Sequence, residues 1–273
     1  MPTSRFLTAN ELRLHYLDWD GDAAKPLVLL HGGAASCHWW DWVAPLLRDD
    51  YRVLALDWRG HGESERDAPP YHTRDFVADL EGLIQNLGLE RPAVVGHSMG
   101  GHVALAHAAL HPESVAALAV LDSLADLPEE AIEMLEARAK RPARRFAALE
   151  EAIDSFRLTP PQEVPVNVFR ELAAHMYRQD ADGSWVAKAD RNSFYRELID
   201  VPALLPKIPC PTLILRAGAS AMSKASAELM KQQLPRSKLV ELPGAEHHFV
   251  LDRPQETRDC IHSFLETCEY SAP

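Results

Sequence analysis

Ser98 stands in the pattern G-x-S-x-G, within Val94-Val95-Gly96-His97-Ser98-Met99-Gly100-Gly101, and the apolar run Val103-Ala104-Leu105-Ala106 follows. The order reads as a buried strand, a tight turn with Ser98 at its apex, and a helix. Small residues two places either side of the serine let backbone approach where a Cβ would collide. Such a corner projects the hydroxyl into a cleft. It also sets the hydroxyl beside the helix N-terminus, whose free N–H groups and dipole favour developing negative charge. A nucleophilic serine is the chemistry that this arrangement suits.

Two further stretches could serve it. The short apolar strand Leu27-Val28-Leu29-Leu30 ends in His31-Gly32-Gly33-Ala34-Ala35-Ser36. Small residues directly after a buried strand let backbone N–H groups approach a ligand, so an oxyanion hole is expected from the N–H groups of Gly33 and Met99. Taken alone, His31-Gly32-Gly33 reads equally well as an ordinary loop. Asp122 closes the strand Val115 to Leu121, and His247 lies in Pro243-Gly244-Ala245-Glu246-His247-His248, after the strand Lys238 to Leu242. His31, Ser98, Asp122 and His247 therefore all follow strands.

The elements that must position these groups alternate. A hairpin over Phe6 to Leu17, with Asn10-Glu11 at the turn, leads through a polar loop (Asp18 to Lys25) to the Leu27 strand. A helix from His38 to Leu47 follows, carrying Trp39, Trp40 and Trp42. Trp42 reads as packing against the sheet, while Trp39 and Trp40 are left open between core and pocket. The strand Arg52 to Leu56 leads into Asp57-Trp58-Arg59-Gly60-His61-Gly62-Glu63-Ser64, a turn that Asp57 and Arg59 are expected to hold by hydrogen bonds and an ion pair. Helical periodicity covers His72 to Leu87, stopped by Gly88, and a further helix runs from Met99 to Leu110. Late in the chain come a strand at Pro211 to Leu215, a helix at Lys224 to Leu234, and a last helix from Pro254 to Cys268.

This alternation predicts an α/β fold, a mostly parallel central sheet with helices on both faces, in which ligands bind beyond the strand C-terminal ends. Residues 1–123 and 207–273 form the two parts of the core. Residues 124–206 differ: they are charged and helical, over Glu129 to Lys140, Ala143 to Phe156 and Phe169 to Tyr177, with no clear buried strand. They read as a helical cap inserted between two strands.

A 273-residue chain with 47% apolar residues suits one large domain with an insertion. Its net charge of −12 argues against nucleic acid or an anionic membrane surface as partner. Cys37, Cys210, Cys260 and Cys268 show neither C-x-x-C pairing nor metal-ligand spacing, which favours a reducing, cytoplasmic setting. No stretch approaches the length of a membrane span.

Together, His31-Gly32-Gly33, the Asp57 to Ser64 turn, Gly96-His97-Ser98-Met99-Gly100 and Gly244-Ala245-Glu246-His247 with Asp252-Arg253-Pro254 resemble the α/β-hydrolase superfamily in its capped branch. The resemblance implies Ser98 as nucleophile and His247 as general base, with His248 as its rival. Most relatives carry an Asp after the strand matching Leu213-Ile214-Leu215. Here Arg216-Ala217-Gly218-Ala219-Ser220-Ala221-Met222-Ser223 has no carboxylate. Asp122 is the expected replacement, ahead of Glu246, while Asp252 is read as capping the last helix. The implied activity is a serine hydrolase of a small-to-medium carboxylic ester or lactone, using neither metal nor organic cofactor. A cofactor-free dioxygenase of hydroxy-oxoquinoline-type heterocycles is the alternative, through Trp58 to Gly62 and His97-Ser98. A non-catalytic ligand-binding homologue is the third reading.

Overall fold

Residues 1–20, 25–194, 196–220 and 222–268 are described by the computed structural model. Residues 21–24 of the expected Asp18–Lys25 loop, and Ala221 of the carboxylate-free segment, lie outside them. An eight-stranded sheet runs through the molecule: β1 Thr3–Ala9, β2 Leu12–Asp18, β3 Pro26–Leu30, β4 Arg52–Leu56, β5 Ala93–His97, β6 Ala117–Leu121, β7 Thr212–Ala217 and β8 Ser237–Leu242. Their order is β1-β2-β4-β3-β5-β6-β7-β8. The six strands from β3 onward are mutually parallel, and β2 alone runs antiparallel to its neighbours, β1 and β4. Asn10 and Glu11 form the hairpin turn, at φ 51° and 63°.

The parallel strands are buried on both faces, and alternation divides each between two cores. Leu27, Leu29, Val95, Ala119 and Leu215 face one side, where Trp40, Val43, Ile261 and Phe264 cover them. Val28, Leu30, Val94, Val120 and Ile214 face the other, under α1 (Thr73–Asn86), α2 (Met99–Leu110) and the helix Lys224–Gln233. Trp39 and Trp40 are both buried, and Trp42 packs half-buried against the first core as expected. The segment expected as a helix over His38 to Leu47 is instead two 3-10 turns, Cys37–Trp40 and Ala44–Leu46, with Pro45 inside the second.

Between β6 and β7 the helices Glu129–Ala139, Leu149–Ser155 and Val166–His175 appear, along with an unforeseen three-stranded antiparallel sheet. Its strands, Arg145–Phe146, Trp185–Ala187 and Tyr177–Gln179, are too short to print a period-2 pattern. Phe146 is buried there, which corrects the reading of Ala143 to Phe156 as one helix. This segment lies on the loops that follow the core strands. His175 stacks on His38 with ring centres 3.5 Å apart, Asp190 N–H donates to the Gly60 carbonyl (2.7 Å), and Lys188 pairs with Glu63 (2.5 Å).

The β5–α2 corner is packed too closely for a side chain. A Cβ on Gly96 would lie 2.6 Å from the Gly101 nitrogen and closer still to the Gly100 carbonyl. One on Gly100 would lie 2.7 Å from the His31 oxygen, and one on Gly101 2.6 Å from Ser123 Cβ. Most of these obstacles are backbone, which cannot step aside as a side-chain tip can. Gly96→Ala is therefore expected to cost about 3 kcal/mol or more. A denaturant melt checks this, and a midpoint within error of the parent's would contradict the packing described.

Candidate active site

Ser98 occupies the corner itself, with φ 53° and ψ −120°, a conformation that non-glycine residues rarely adopt. Its N–H donates to the Leu121 carbonyl (3.0 Å), which ties the corner to β6, and its carbonyl accepts from Gly101 and His102 to begin α2. Ser98 is half-buried, whereas its neighbours His97 and Met99 are buried.

The carboxylate of Asp122 and the imidazole of His247 meet. His247 Nδ1–H donates to Asp122 Oδ2 at 2.7 Å, and Ala217 N–H donates to Asp122 Oδ1 at 3.0 Å. Asp122 is itself held, its N–H donating to the Leu215 carbonyl (2.8 Å), and its side chain is fully buried. The bond at Nδ1 fixes the tautomer of neutral His247, leaving Nε2 as the acceptor. Among the described residues of the Arg216–Ser223 segment no carboxylate stands in this place, and Glu246 makes no bond to His247.

His97, which the sequence points to only in the His97-Ser98 pair of the dioxygenase alternative, supplies a further link. Its Nε2–H donates to the His247 carbonyl at 2.8 Å, so the residue before the serine holds the backbone of the histidine. Its ring lies face to face with Trp39 (centroids 6.0 Å) and 4.8 Å from the ring of His247. Burial, then the charges of His247 and His248, push its imidazole well below the ordinary range, so it stays neutral.

His248 is turned elsewhere. Its Nε2–H donates to the Pro160 carbonyl (3.0 Å) and its N–H to Gln162 Oε1 (2.7 Å), so it fastens the segment between β6 and β7 to the loop carrying His247. Burial and the neighbouring His247 bring its pKa down to about 4. Asp252 does not cap the last helix, whose N-cap is Arg253 without a side-chain bond; it closes the short helix Phe249–Asp252 instead.

The β3 loop lies against the corner. A Cβ on Gly32 would be 3.1 Å from Ser98 Cβ, and one on Gly33 3.8 Å from Met99 Sδ. Neither Gly33 N–H nor Met99 N–H has an acceptor among the described residues. The next N–H, of Ala34, is taken by His61 Nε2 (3.2 Å). His31 is structural: its Nδ1–H donates to the Gly32 carbonyl (2.7 Å), and its carbonyl accepts from Trp58 Nε1–H (3.1 Å).

Asp57 and Arg59 brace the β4 loop separately rather than pairing with each other. Asp57 accepts from His15 Nδ1 (2.7 Å), Cys37 N–H (2.7 Å) and Glu63 N–H (3.0 Å). Burial raises its carboxyl, but the His15 bond and the charges of His31 and His15 prevail and hold it at about 2. Arg59 binds Asp79 and Asp67.

The alpha/beta hydrolase fold model matches residues 25–254 of this chain. The chain belongs to the alpha/beta hydrolase fold family. Within that family it is similar to a 2-(acetamidomethylene)succinate hydrolase of Mesorhizobium japonicum, 28% identical over 249 residues that cover 88% of either chain. It is also similar to the mouse sn-1-specific diacylglycerol lipase ABHD11, 29% identical over 93% of this chain and 85% of that one. A crystal structure of E-2-(acetamidomethylene)succinate hydrolase superposes with a TM-score of 0.85, covering 98% of this chain and 100% of that one at 23% identity. That last likeness is one of fold. No helix among the described residues is long and apolar enough to cross a membrane.

The buried imidazoles set a pH dependence. His97 and His248 have folded pKa values below the ordinary 6.5, so the unfolded chain binds their protons first and acid favours unfolding. The contribution of His248 is intact above pH 6.5 and is lost as pH falls toward 4, at about 1.4 kcal/mol per pH unit, and His97 acts in the same direction. Unfolding free energy is expected to drop by about 2 kcal/mol or more between pH 7 and pH 5, and by less in His248→Gln. Guanidinium titrations at the two pH values check this; equal stabilities would contradict it.

Proposed function

We propose that the protein is a serine hydrolase of small-to-medium carboxylic esters or lactones, acting through Ser98, His247 and Asp122. The observation that carries the reading is the 2.7 Å bond from His247 Nδ1 to a buried carboxylate, on a loop tied to the residue preceding a strained serine. The relatives' names, two hydrolytic activities including a lipase, support hydrolysis and favour an ester.

In this reading Ser98 Oγ attacks the substrate carbonyl carbon while His247 Nε2 takes the hydroxyl proton. Asp122 holds the imidazole in the required tautomer and stabilises the imidazolium that forms, without itself being protonated. The carbonyl oxygen, now negative, accepts from the Gly33 and Met99 N–H groups, which are free to donate. Collapse breaks the carbon–oxygen bond to the leaving alcohol, which receives the proton from His247 and leaves an acyl group on Ser98. A water molecule then gives a proton to His247 and attacks the acyl carbon. Ser98 leaves, reprotonated by His247, and the carboxylic acid is released. No metal or organic cofactor enters any step.

Residues 124–206 serve as the cap in this proposal, and their attachment through Gln162 and Pro160 to His248 places them beside His247. Four unpaired cysteines accord with a reducing cytoplasmic location. Burial raises the thiols of Cys37 and Cys210, the latter to about 11, which keeps them protonated and unreactive.

Intact-mass analysis after exposure to a fluorophosphonate, with p-nitrophenyl ester and lactone hydrolysis measured alongside, tests the proposal. The parent is expected to gain a single adduct and to turn over an ester or lactone. Ser98→Ala should gain none, and His247→Ala should label at least about 100-fold more slowly. A parent that neither labels nor hydrolyses would overturn the reading, and oxygen uptake with a hydroxyquinolone would then favour the dioxygenase alternative.

A further inference from the structure

Far from Ser98, α1 and α2 bring three metal-binding side chains together. Glu81 lies on α1, His107 on the facing side of α2, and His111 one turn later, directly after the last residue of that helix. Since Ser98 immediately precedes α2, which rises about 1.5 Å per residue, the cluster stands roughly 15–20 Å away along that helix. His107 Nε2 is 2.9 Å from Glu81 Oε2, His111 Nδ1 is 3.8 Å from the same oxygen, and one donor atom from each residue lies within 4.8 Å of the others. Glu81 and His111 line a cavity of about 400 Å³, shared with Asn10, Arg74 and Gln85, whereas His107 is fully buried behind them.

We propose that Glu81, His107 and His111 form a site for a divalent transition metal ion of the zinc class, with a water from the cavity as fourth ligand. Bonds of about 2.0–2.1 Å in a tetrahedron put donor atoms about 3.3 Å apart. The two separations to Glu81 Oε2 straddle that value, and the imidazole nitrogens of His107 and His111, within 4.8 Å of each other, reach it by a shift of up to about 1.5 Å, which the partly exposed His111 side chain can supply. Two imidazoles on one such ion have ring centres about 5 Å apart; those of His107 and His111 are 4.9 Å apart with planes 25° from parallel, a spacing at which, unlike 3.5 Å, both rings can be turned edge-on to one ion. The carboxylate is already oriented, since Gln85 Nε2–H donates to Oε1 (2.7 Å) and Ser114 Oγ–H to Oε2 (3.3 Å), the outer support that ligating carboxylates have. His107 Nδ1 has no partner among the described residues, so it can take the ring proton when Nε2 turns to the metal, and no other bond is broken. Two neutral imidazoles, one carboxylate and an open position suit zinc-class ions better than calcium or magnesium, which prefer oxygen ligands.

Other clusters of the same kind fit less well. His38 and His175 lie face to face at 3.5 Å and 12°, so their in-plane lone pairs cannot converge on one ion. His15, Cys37 and Asp57 are closed by their own hydrogen bonds, and His97, His247 and His248 belong to the site already described. An ion held by Glu81, His107 and His111 would clamp α1 to α2 without touching Ser98.

Zn²⁺ titration of chelator-treated full-length protein by calorimetry, with Co²⁺ as a spectroscopic probe, tests the assignment. The parent and Ser98→Ala should each bind one equivalent with micromolar or tighter affinity, show intense visible Co²⁺ bands of tetrahedral type, and melt at a higher temperature when loaded. His111→Ala, at a partly exposed position, should retain the fold and lose about 100-fold in affinity, and Glu81→Gln should do the same. Parent binding weaker than about 100 μM would overturn the proposal. So would unchanged affinity in His111→Ala, or binding abolished by His247→Ala, which would place the ion beside Ser98. Because the readout is metal binding, failure here is separable from failure of the hydrolase reading.

Discussion

Holding Ser98 at φ 53° requires that β3, β5 and the start of α2 come closer than side chains allow, and the geometry of the site follows from that approach. Gly96 and Gly100 permit it, and the Ser98 N–H anchors it to Leu121. Once the corner is closed, the β3 loop is pressed against it, Gly32 beside Ser98 and Gly33 beside Met99. Asp122, next after Leu121 on β6, is thereby fixed one strand away. The strain is local, and two buried half-cores on either side of the sheet supply the stability that sustains it.

In the proposed triad the carboxylate comes from the end of β6 rather than from the loop after β7. After β7 this chain offers backbone rather than a carboxylate. Ala217 N–H donates to Asp122 Oδ1, and Ala219 N–H donates to the Ala245 carbonyl, two residues before His247. The β7 loop thus steadies both an acid brought from β6 and the loop bearing the imidazole. His97 completes the frame from below by holding the His247 carbonyl. Ser98 and His247 are far apart in sequence, and a single buried imidazole couples their backbones.

The alternation of short apolar runs with amphipathic ones made the sheet and its covering helices legible in the sequence. G-x-S-x-G located the corner because the requirement for small residues is steric and local. The meeting of Asp122 with His247 could be anticipated from both following strands of one parallel sheet. Other features left no local trace. The strands Arg145–Phe146 and Tyr177–Gln179 are shorter than one pleat repeat needs, and the turns around Trp39 to Leu46 had the apolar content of a helix without its hydrogen bonding. His97 and His248 look alike in sequence to any buried histidine. Their partners, a carbonyl 150 residues away and the Pro160–Gln162 stretch, exist only after folding.

The second-order rate of fluorophosphonate labelling in Asp122→Asn, compared with the parent at pH 7, tests most directly whether Asp122 is the acid on which the site depends. Asn keeps the shape of Asp122 but favours the wrong imidazole tautomer and removes the charge that stabilises imidazolium. The account predicts labelling about 10³- to 10⁴-fold slower in a protein whose melting curve still shows a cooperative fold. A rate within tenfold of the parent's would contradict it, and His247 would then have to be oriented by another group.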